Sequence, residues 1–546
     1  MITRLFAIGM CIGCATMVLY AQIGKITQQD WVTSRADAQR TSWIRGDIVI
    51  SPESMQKPGF ELRWKATLDN QSRQLNSLSA GVVIGNLGFG SKPLSFITGS
   101  ANRAFAVDND TGTVFWQRTF GESGARGTLQ CPGGITSAAT RPSAVVPTIP
   151  VWRGMPDRPA YSSGVGAPGE GVPAYLMGRA GRAAAPAPAP ARAGGTPAAN
   201  TPARAGGAPA APLPQVVYAL SSDGQLHTLG PYSGKDLARP LPFLPVNAHA
   251  SDLIAVNNIA YTASMNGCSG VADGVWALDL ASANGAVKTW SASGGSPTGA
   301  PAFGSDGTLF IAIGARQTSG NAGYANAVVA LDPKELTVKD WFTQPATEFV
   351  TAPLVLTVGD REIVAAGTRD GAIVLLDATS LGGPSHGTAL GRSAASSDRS
   401  GFAPNGLTTW VDSTGTPWII GPTATTVTAM KVVTTNGAVA LQAGWTSRQM
   451  RTPLSPLIVN GVAFVVSSGE FVPRPGAAAD AAERARQSIP AVLYALDATT
   501  GRELWSSGNT ITSFVHGPAV WPGIGQVHVA TFDNTVYAFG FPLERY

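Results

Sequence analysis

The chain has 546 residues, of which 13% are charged, while Gly (64) and Pro (40) together make almost a fifth. Few charges beside many turn formers suit an all-β protein of short strands better than a helical one. The net charge of +4 sits in one stretch: residues 151–214 hold Arg153, Arg158, Arg179, Arg182, Arg192 and Arg204 against Asp157 and Glu170, and the remainder balances at 32 basic and 32 acidic residues. A nucleic-acid binder carries its positive charge on the folded face that meets phosphate, so no nucleic-acid partner is expected.

The first 21 residues, MITRLFAIGMCIGCATMVLYA, have one Arg, an apolar run and a small residue at the end. They read as an export signal cleaved after Ala21. A retained anchor is the alternative, although the 17-residue run Leu5–Ala21 is at the short limit for a bilayer. Cys11 and Cys14 form a CxxC followed by Ala15 rather than His, which is no haem attachment site. Loss of the signal leaves Cys131 and Cys268, which an oxidising compartment allows to pair. Spacing alone leaves that pairing open.

Residues 22–59 form an N-terminal extension, and 60–546 a single repetitive domain. Its first strand is FELRWKATL at 60–68, whose Trp64 has no Asp upstream of its own. Next comes AFAVDNDTGTVFW at 104–116, echoed by LYALDATTGRELW at 493–505. Both fit A-x-D-x-x-T-G-x-x-x-W, through Ala106, Asp108, Thr111, Gly112 and Trp116, and through Ala495, Asp497, Thr500, Gly501 and Trp505. Looser copies end near Ser221, Asp279, Asp332, Asp377 and Lys431, and VYAFG at 536–540 closes the series. From Asp279 onward the steps run from 45 to 66 residues, a spacing that signals propeller blades.

Within each unit, Asp223-Gly224, Asp306-Gly307 and Asp370-Gly371 lie between alternating apolar strands. They are expected to form tight hairpins with both central residues at positive φ. Four antiparallel strands then make one blade. The Trp ends on the outer strand as a wedge between blades, and the Asp and Thr cap the turn that aims it.

Counting units predicts an eight-bladed β-propeller, with seven blades as the alternative because the copies at 221 and 431 are degraded. The 60–68 strand is expected to complete the last blade and close the ring, removing exposed edges. Two stretches break the period. Residues 147–214 are rich in Pro, Ala and Gly and read as a disordered insertion between strands of one blade. Residues 473–490, with AAADAAERARQ, read as a short helix-prone insertion.

The AxDxxTGxxxW unit resembles the docking repeat of the PQQ-type (quinoprotein dehydrogenase-like) β-propellers. That superfamily includes quinoprotein alcohol dehydrogenases and non-enzymatic members such as the lipoprotein of the outer-membrane β-barrel assembly machinery. For a catalytic member the resemblance implies PQQ with Ca2+, two adjacent cysteines against the cofactor ring, and Glu, Asn and Asp ligands from different blades. This chain has no Cys-Cys pair, and its Ca2+ ligands are not assignable residue by residue.

His227, His249, His386, His516 and His528 show no HxH, HxxxH or HExxH spacing, so no metal site is expected. His528, in QVHVAT, reads as a hydrogen-bonded structural residue. The run Asp108-Asn109-Asp110-Thr111-Gly112 begins like a Ca2+ loop but lacks the closing Glu. No catalytic residue is assigned. The less regular loops 122–142 (Cys131, Arg141) and 390–410 (Arg392, Asp398, Arg399, Asn405) are candidates for the binding face at the channel mouth.

The expected protein is thus an exported, monomeric, periplasmic or secreted propeller without catalytic activity. It would bind a protein partner or small ligand at the channel face and touch the membrane only through its signal segment. A PQQ-dependent alcohol or sugar dehydrogenase with an atypical site is the alternative, and a hydrolase of the same shape the third reading.

Overall fold

The computed structural model describes residues 31–542 except 48, 85–91, 122–126, 146–214, 283, 317–322, 345–347, 396–405 and 475–478. The signal segment and the Pro/Ala/Gly-rich stretch 147–214 therefore lie outside the described residues.

The chain folds as an eight-bladed β-propeller of small antiparallel sheets. Blade 1 runs from the inner strand Val82–Ile84 through Leu94–Gly99 and Arg103–Asp108 to the outer strand Val114–Thr119. The same inside-to-outside order recurs in blade 5 (Leu354–Val358 to Gly391–Arg392), blade 6 (Thr408–Val411 to Ala438–Thr446) and blade 7 (Leu457–Val459 to Glu503–Ser506). Blade 2 holds Val217–Leu220, Gln225–Leu229 and Leu241–Pro242, with Thr140 bridging Tyr218 on its inner side. Blade 3 begins at Ile254–Val256, and blade 4 at Ala302–Phe303. Blade 8 supplies Val520–Gly523, Gln526–Ala530 and Thr535–Gly540.

Ring closure comes from Glu61–Thr67, which pairs antiparallel with Thr535–Gly540 as the outer strand of blade 8. The 60–68 strand thus does what its orphan Trp64 implies. Second and third strands are buried on both faces, whereas outer strands such as Val114–Thr119 alternate between half-buried and exposed.

The docking unit works across blade boundaries. Trp64 Nε1 donates to Asn109 O in blade 1 (2.8 Å), Trp116 Nε1 to Pro231 O in blade 2 (2.7 Å), and Trp445 Nε1 to Ala498 O in blade 7 (2.9 Å). Each indole lies over a glycine with left-handed φ: Trp64 over Gly112, Trp116 over Gly234, Trp445 over Gly501. A Cβ at Gly501 would sit 2.6 Å from Trp445 Cε3, so the glycine is required both by conformation and by close approach. Asp108 Oδ1 accepts from the N–H groups of Asp110 and Thr111, and Asp497 Oδ1 from those of Thr499 and Thr500. These bonds hold the turn that presents the glycine.

Two sequence expectations change in detail. The docking turn of blade 2 lies at Gly230–Gly234, not at Ser221, because VYAL is the second strand and not the third. The Asp-Gly hairpins have positive φ only at Gly224, Gly307 and Gly371. At Ser221, Gly224 N bonds Ser221 O and Ser221 N bonds Gln225 O. That is a three-residue loop, a turn followed by one left-handed glycine, which leaves the Asp in ordinary backbone. In the second insertion, Ala481–Gln487 is a helix capped by Asp480, whose carboxylate accepts from Glu483 N at 2.7 Å.

Candidate functional site: the filled channel

The axis of the ring is occupied by the chain itself. Residues 31–42 are all buried, and their main-chain carbonyls meet the innermost strands one after another. Val83 of blade 1 donates its N–H to Trp31 O, and Arg141 beside blade 2 donates to Val32 O (both 2.9 Å). Ser34 Oγ donates to Asp252, at the start of blade 3 (2.5 Å). Then Phe303 of blade 4 donates to Ala38 O, Val355 of blade 5 to Gln39 O, Thr409 of blade 6 to Thr41 O, and Ile458 of blade 7 to Ser42 O. Finally Asp47 Oδ2 accepts from Gly525 N of blade 8 (2.7 Å).

The segment makes one circuit of the axis in blade order. Such curvature is tight for an L-peptide, and Ala36, Arg40 and Ser42 take left-handed φ of 74°, 62° and 52°. Non-glycine residues remain there only where surrounding contacts hold them. From Ile44 the chain leads outward to Phe60, which stacks on Phe464 and meets Trp505 and Phe541 edge to face between blades 7 and 8.

Charged groups accompany this segment into the core. Arg40 donates from Nε to Pro301 O (3.0 Å) and lies 3.9 Å from Asp252. Arg35 Nη2 donates to Leu407 O across the channel. Burial, reinforced by Arg40, lowers the Arg35 guanidinium to about 10. Burial raises the Asp37 carboxyl, against two hydrogen bonds from Thr41 at 3.0 and 2.6 Å.

The residues singled out by sequence scatter around this core. Cys131 and Cys268 form a disulfide with a Cα–Cα distance of 5.5 Å, tying the loop ahead of blade 2 to blade 3. Arg141 stands by the channel, bonded to Gln215 Oε1 at 2.9 Å. Arg392, by contrast, is on the outer strand of blade 5, paired with Asp370 (2.7 Å) and remote from the axis. Asp398, Arg399 and Asn405 lie outside the described residues. His528 is packed between the rings of Trp64 and Trp521, each centroid 5.4 Å away. Its nitrogens face the backbone of Asn109 and Trp521. The ring is stacked on Trp521, with 18° between the planes, and tilted at 42° against Trp64.

One arrangement looks catalytic at first sight. Ser221 Oγ is 3.2 Å from His227 Nε2, and His227 Nδ1 is 3.0 Å from Asp236 Oδ1, the order of a Ser–His–Asp relay. The repeat explains it otherwise. The Ser221 hydroxyl bonds Asp223 and Gln225 O inside its hairpin, as Thr368 bonds Asp370 and Ala372 O, and Thr531 bonds Asp533 and Thr535 O. In all three blades the hydroxyl closes a turn. Asp236 is shared with Arg118. Burial works to raise its pKa, but the hydrogen bonds from His227 and Arg118 outweigh that and hold it below the ordinary carboxylate range.

No family model matches the sequence, and no curated protein matches it. Solved structures do match in fold. A europium-containing methanol dehydrogenase superposes with a TM-score of 0.55 at 11% identity, covering 94% of this chain and 98% of that one. A quinohemoprotein alcohol dehydrogenase from Comamonas testosteroni gives 0.53 at 12% identity, covering 95% and 82%. Another, from Pseudomonas putida HK5, gives 0.52 at 11% identity, with the same coverage. The chain therefore has the quinoprotein-dehydrogenase type of β-propeller fold.

The residues present do not fit the PQQ and Ca2+ that this resemblance implies. The four cysteines include no adjacent pair. Among the described residues no three His, Cys, Asp or Glu side chains converge as a metal site. The axial space is filled by 31–44, hydrogen-bonded to the blades around it.

Proposed function

We propose that the protein is a non-catalytic propeller of the cell envelope that binds or assembles with a protein partner through the outside of its ring. The observation that carries this reading is the filled channel. An axis occupied by the chain's own backbone, with arginines and carboxylates already engaged, leaves the outer surfaces as the working ones. Export is supported by the apolar leader Leu5–Ala21. No helix among the described residues is long and apolar enough to cross a membrane.

A candidate contact is the rim of blades 1 and 2. There Phe115 (49% exposed) and Tyr232 (44%) meet edge to face at 6.1 Å, and Leu237 is also exposed. Aromatic residues presented this way are the usual anchors of protein interfaces.

The test has two arms. A photo-crosslinking residue at Tyr232, in cells producing the protein, should give a discrete adduct that the same residue at Lys65, exposed on blade 8, does not. Titration of the purified protein with PQQ and CaCl2 should show neither saturable heat nor dye reduction with alcohols or sugars. Tight PQQ binding with turnover would establish the dehydrogenase reading instead.

A further inference from the structure

The outer strand of blade 6, Ala438–Thr446, reads AVALQAGWT and holds neither a charge nor a proline. The other seven outer strands all hold one. Arg118, Lys288, Lys339, Arg392, Glu503 and Lys65 lie on those of blades 1, 3, 4, 5, 7 and 8, and Pro242 on that of blade 2. An outermost strand offers free N–H and C=O groups to any other chain, and charges and prolines blunt that offer. Seven edges are protected in this way and one is not. The bulge at Gly444 does not set it apart, since blades 1, 4, 7 and 8 have a register shift at the same boundary.

Blade 6 also departs from the docking repeat. Its third strand, Val427–Thr435, runs straight into Asn436-Gly437, with φ of 52° and 79°, a two-residue hairpin turn in place of a docking turn. Blade 5 in turn has no Trp on its outer strand Gly391–Arg392 to dock there. Val439, 5% exposed, covers that short strand instead, its carbonyl oxygen 3.0 Å from where a Cβ on Gly391 would stand. This contact accounts for the start of the blade 6 strand and not for the rest. Ala440, Gln442 and Ala443 are exposed, and among the described residues no further strand pairs with this edge. Thr435 and Ala438 flank the turn as a bonded pair, so bonding alternates from there. Ala440 and Gln442 turn their main-chain groups toward Val433 and Lys431, and Leu441 and Ala443 turn theirs outward.

We propose that this edge is a contact between two copies of the chain, each pairing residues 440–443 antiparallel with the same strand of the other about a two-fold axis. Charge decides for a second copy. An uncharged strand laid against itself sets no like charges opposite each other, whereas the charged outer strands would repel their own copies. Blade 6 lies four blades round the ring from blade 2, so the contact leaves the rim of blades 1 and 2 free. It stands or falls separately from the proposed function.

Sedimentation velocity of the purified protein over a dilution series tests it. A dimer that dissociates on dilution is expected, with amide exchange at Leu441 and Ala443 slowing as protein concentration rises. Gln442→Lys supplies the charge that other outer strands carry and should weaken association roughly tenfold. Ala443→Pro removes an outward N–H without removing a bond to the third strand of its own blade, and should weaken association by roughly tenfold or more, because the two-fold axis counts the loss twice. Gln117→Lys, at an exposed place on the outer strand of blade 1, should leave association unchanged. Unchanged far-ultraviolet spectra establish that each variant is folded. The proposal is overturned if the unaltered protein sediments as a monomer throughout, or if either folded blade 6 variant associates as tightly as the unaltered protein. Equal weakening by Gln117→Lys overturns it too.

Discussion

His528 offers a sharp test of how tightly blade 8 docks on blade 1. Its ring is fully buried between Trp64 and Trp521, and burial pushes its pKa from the ordinary 6.5 down to about 4. The folded protein thus keeps His528 neutral over a range in which the unfolded chain takes up a proton. Stability from this group is complete above pH 6.5 and is lost as pH falls toward 4. At pH 5 the unfolded form gains about 2 kcal/mol over the folded one, and below pH 4 about 3 kcal/mol. Urea unfolding at pH 8 and pH 5 should be measured for the unaltered protein and for His528→Gln, which fills similar space and does not titrate. Other titrating groups contribute to both proteins and cancel in the double difference. The unaltered protein should lose about 2 kcal/mol more than the variant between the two pH values. An equal loss in both would mean that protons reach His528 in the folded state, and that the indole sandwich is not closed.

The docking glycines and the disulfide give two further expectations. Gly501→Ala should cost about 2–4 kcal/mol in urea unfolding, combining left-handed strain with displacement of the Trp445 indole. Gly415→Ala should cost only about 1 kcal/mol, because Gly415 has φ of 83° but nothing within 4 Å of a Cβ. Equal losses at the two sites would remove the indole contact from the account. Cys131→Ser with Cys268→Ser opens a loop with a sequence separation of 137, worth at most about 5 kcal/mol of chain entropy. A lowered melting temperature, reproduced by reduction of the unaltered protein, is the expected reading.

The ring was legible in the sequence because its signals are side-chain signals. Trp116 and Trp505 announce outer strands, Asp108 and Asp497 announce the turns, and Trp64 without its Asp announces the strand that closes the circle. Blade 2 was misplaced by one strand because Gly230 stands where the template has Asp, so Ser221 after VYAL looked like the better match. The 390–410 loop is only a candidate for the channel mouth in sequence, because a polar loop carries no sign of whether it joins blades near the axis or, as Arg392 does, at the rim.

The filled channel was not legible, for a physical reason. In DWVTSRADAQRTSW the groups that bind the blades are mostly carbonyl oxygens, which every residue type possesses and no pattern marks. The side chains there look like those of a solvated linker: Arg35, Asp37, Gln39 and Arg40 would ordinarily be exposed. They are buried because the segment's carbonyls accept from the inner strands of the blades around the axis, which carries the side chains inward with the backbone. Gln39, 0% exposed with neither amide atom bonded, shows that the backbone dictates this path at the expense of its side chains. A sequence that sacrifices side-chain satisfaction to thread its own axis is one in which the axis is not free for a cofactor. The filled channel, and not the missing Cys-Cys pair, is therefore the stronger argument against quinone chemistry.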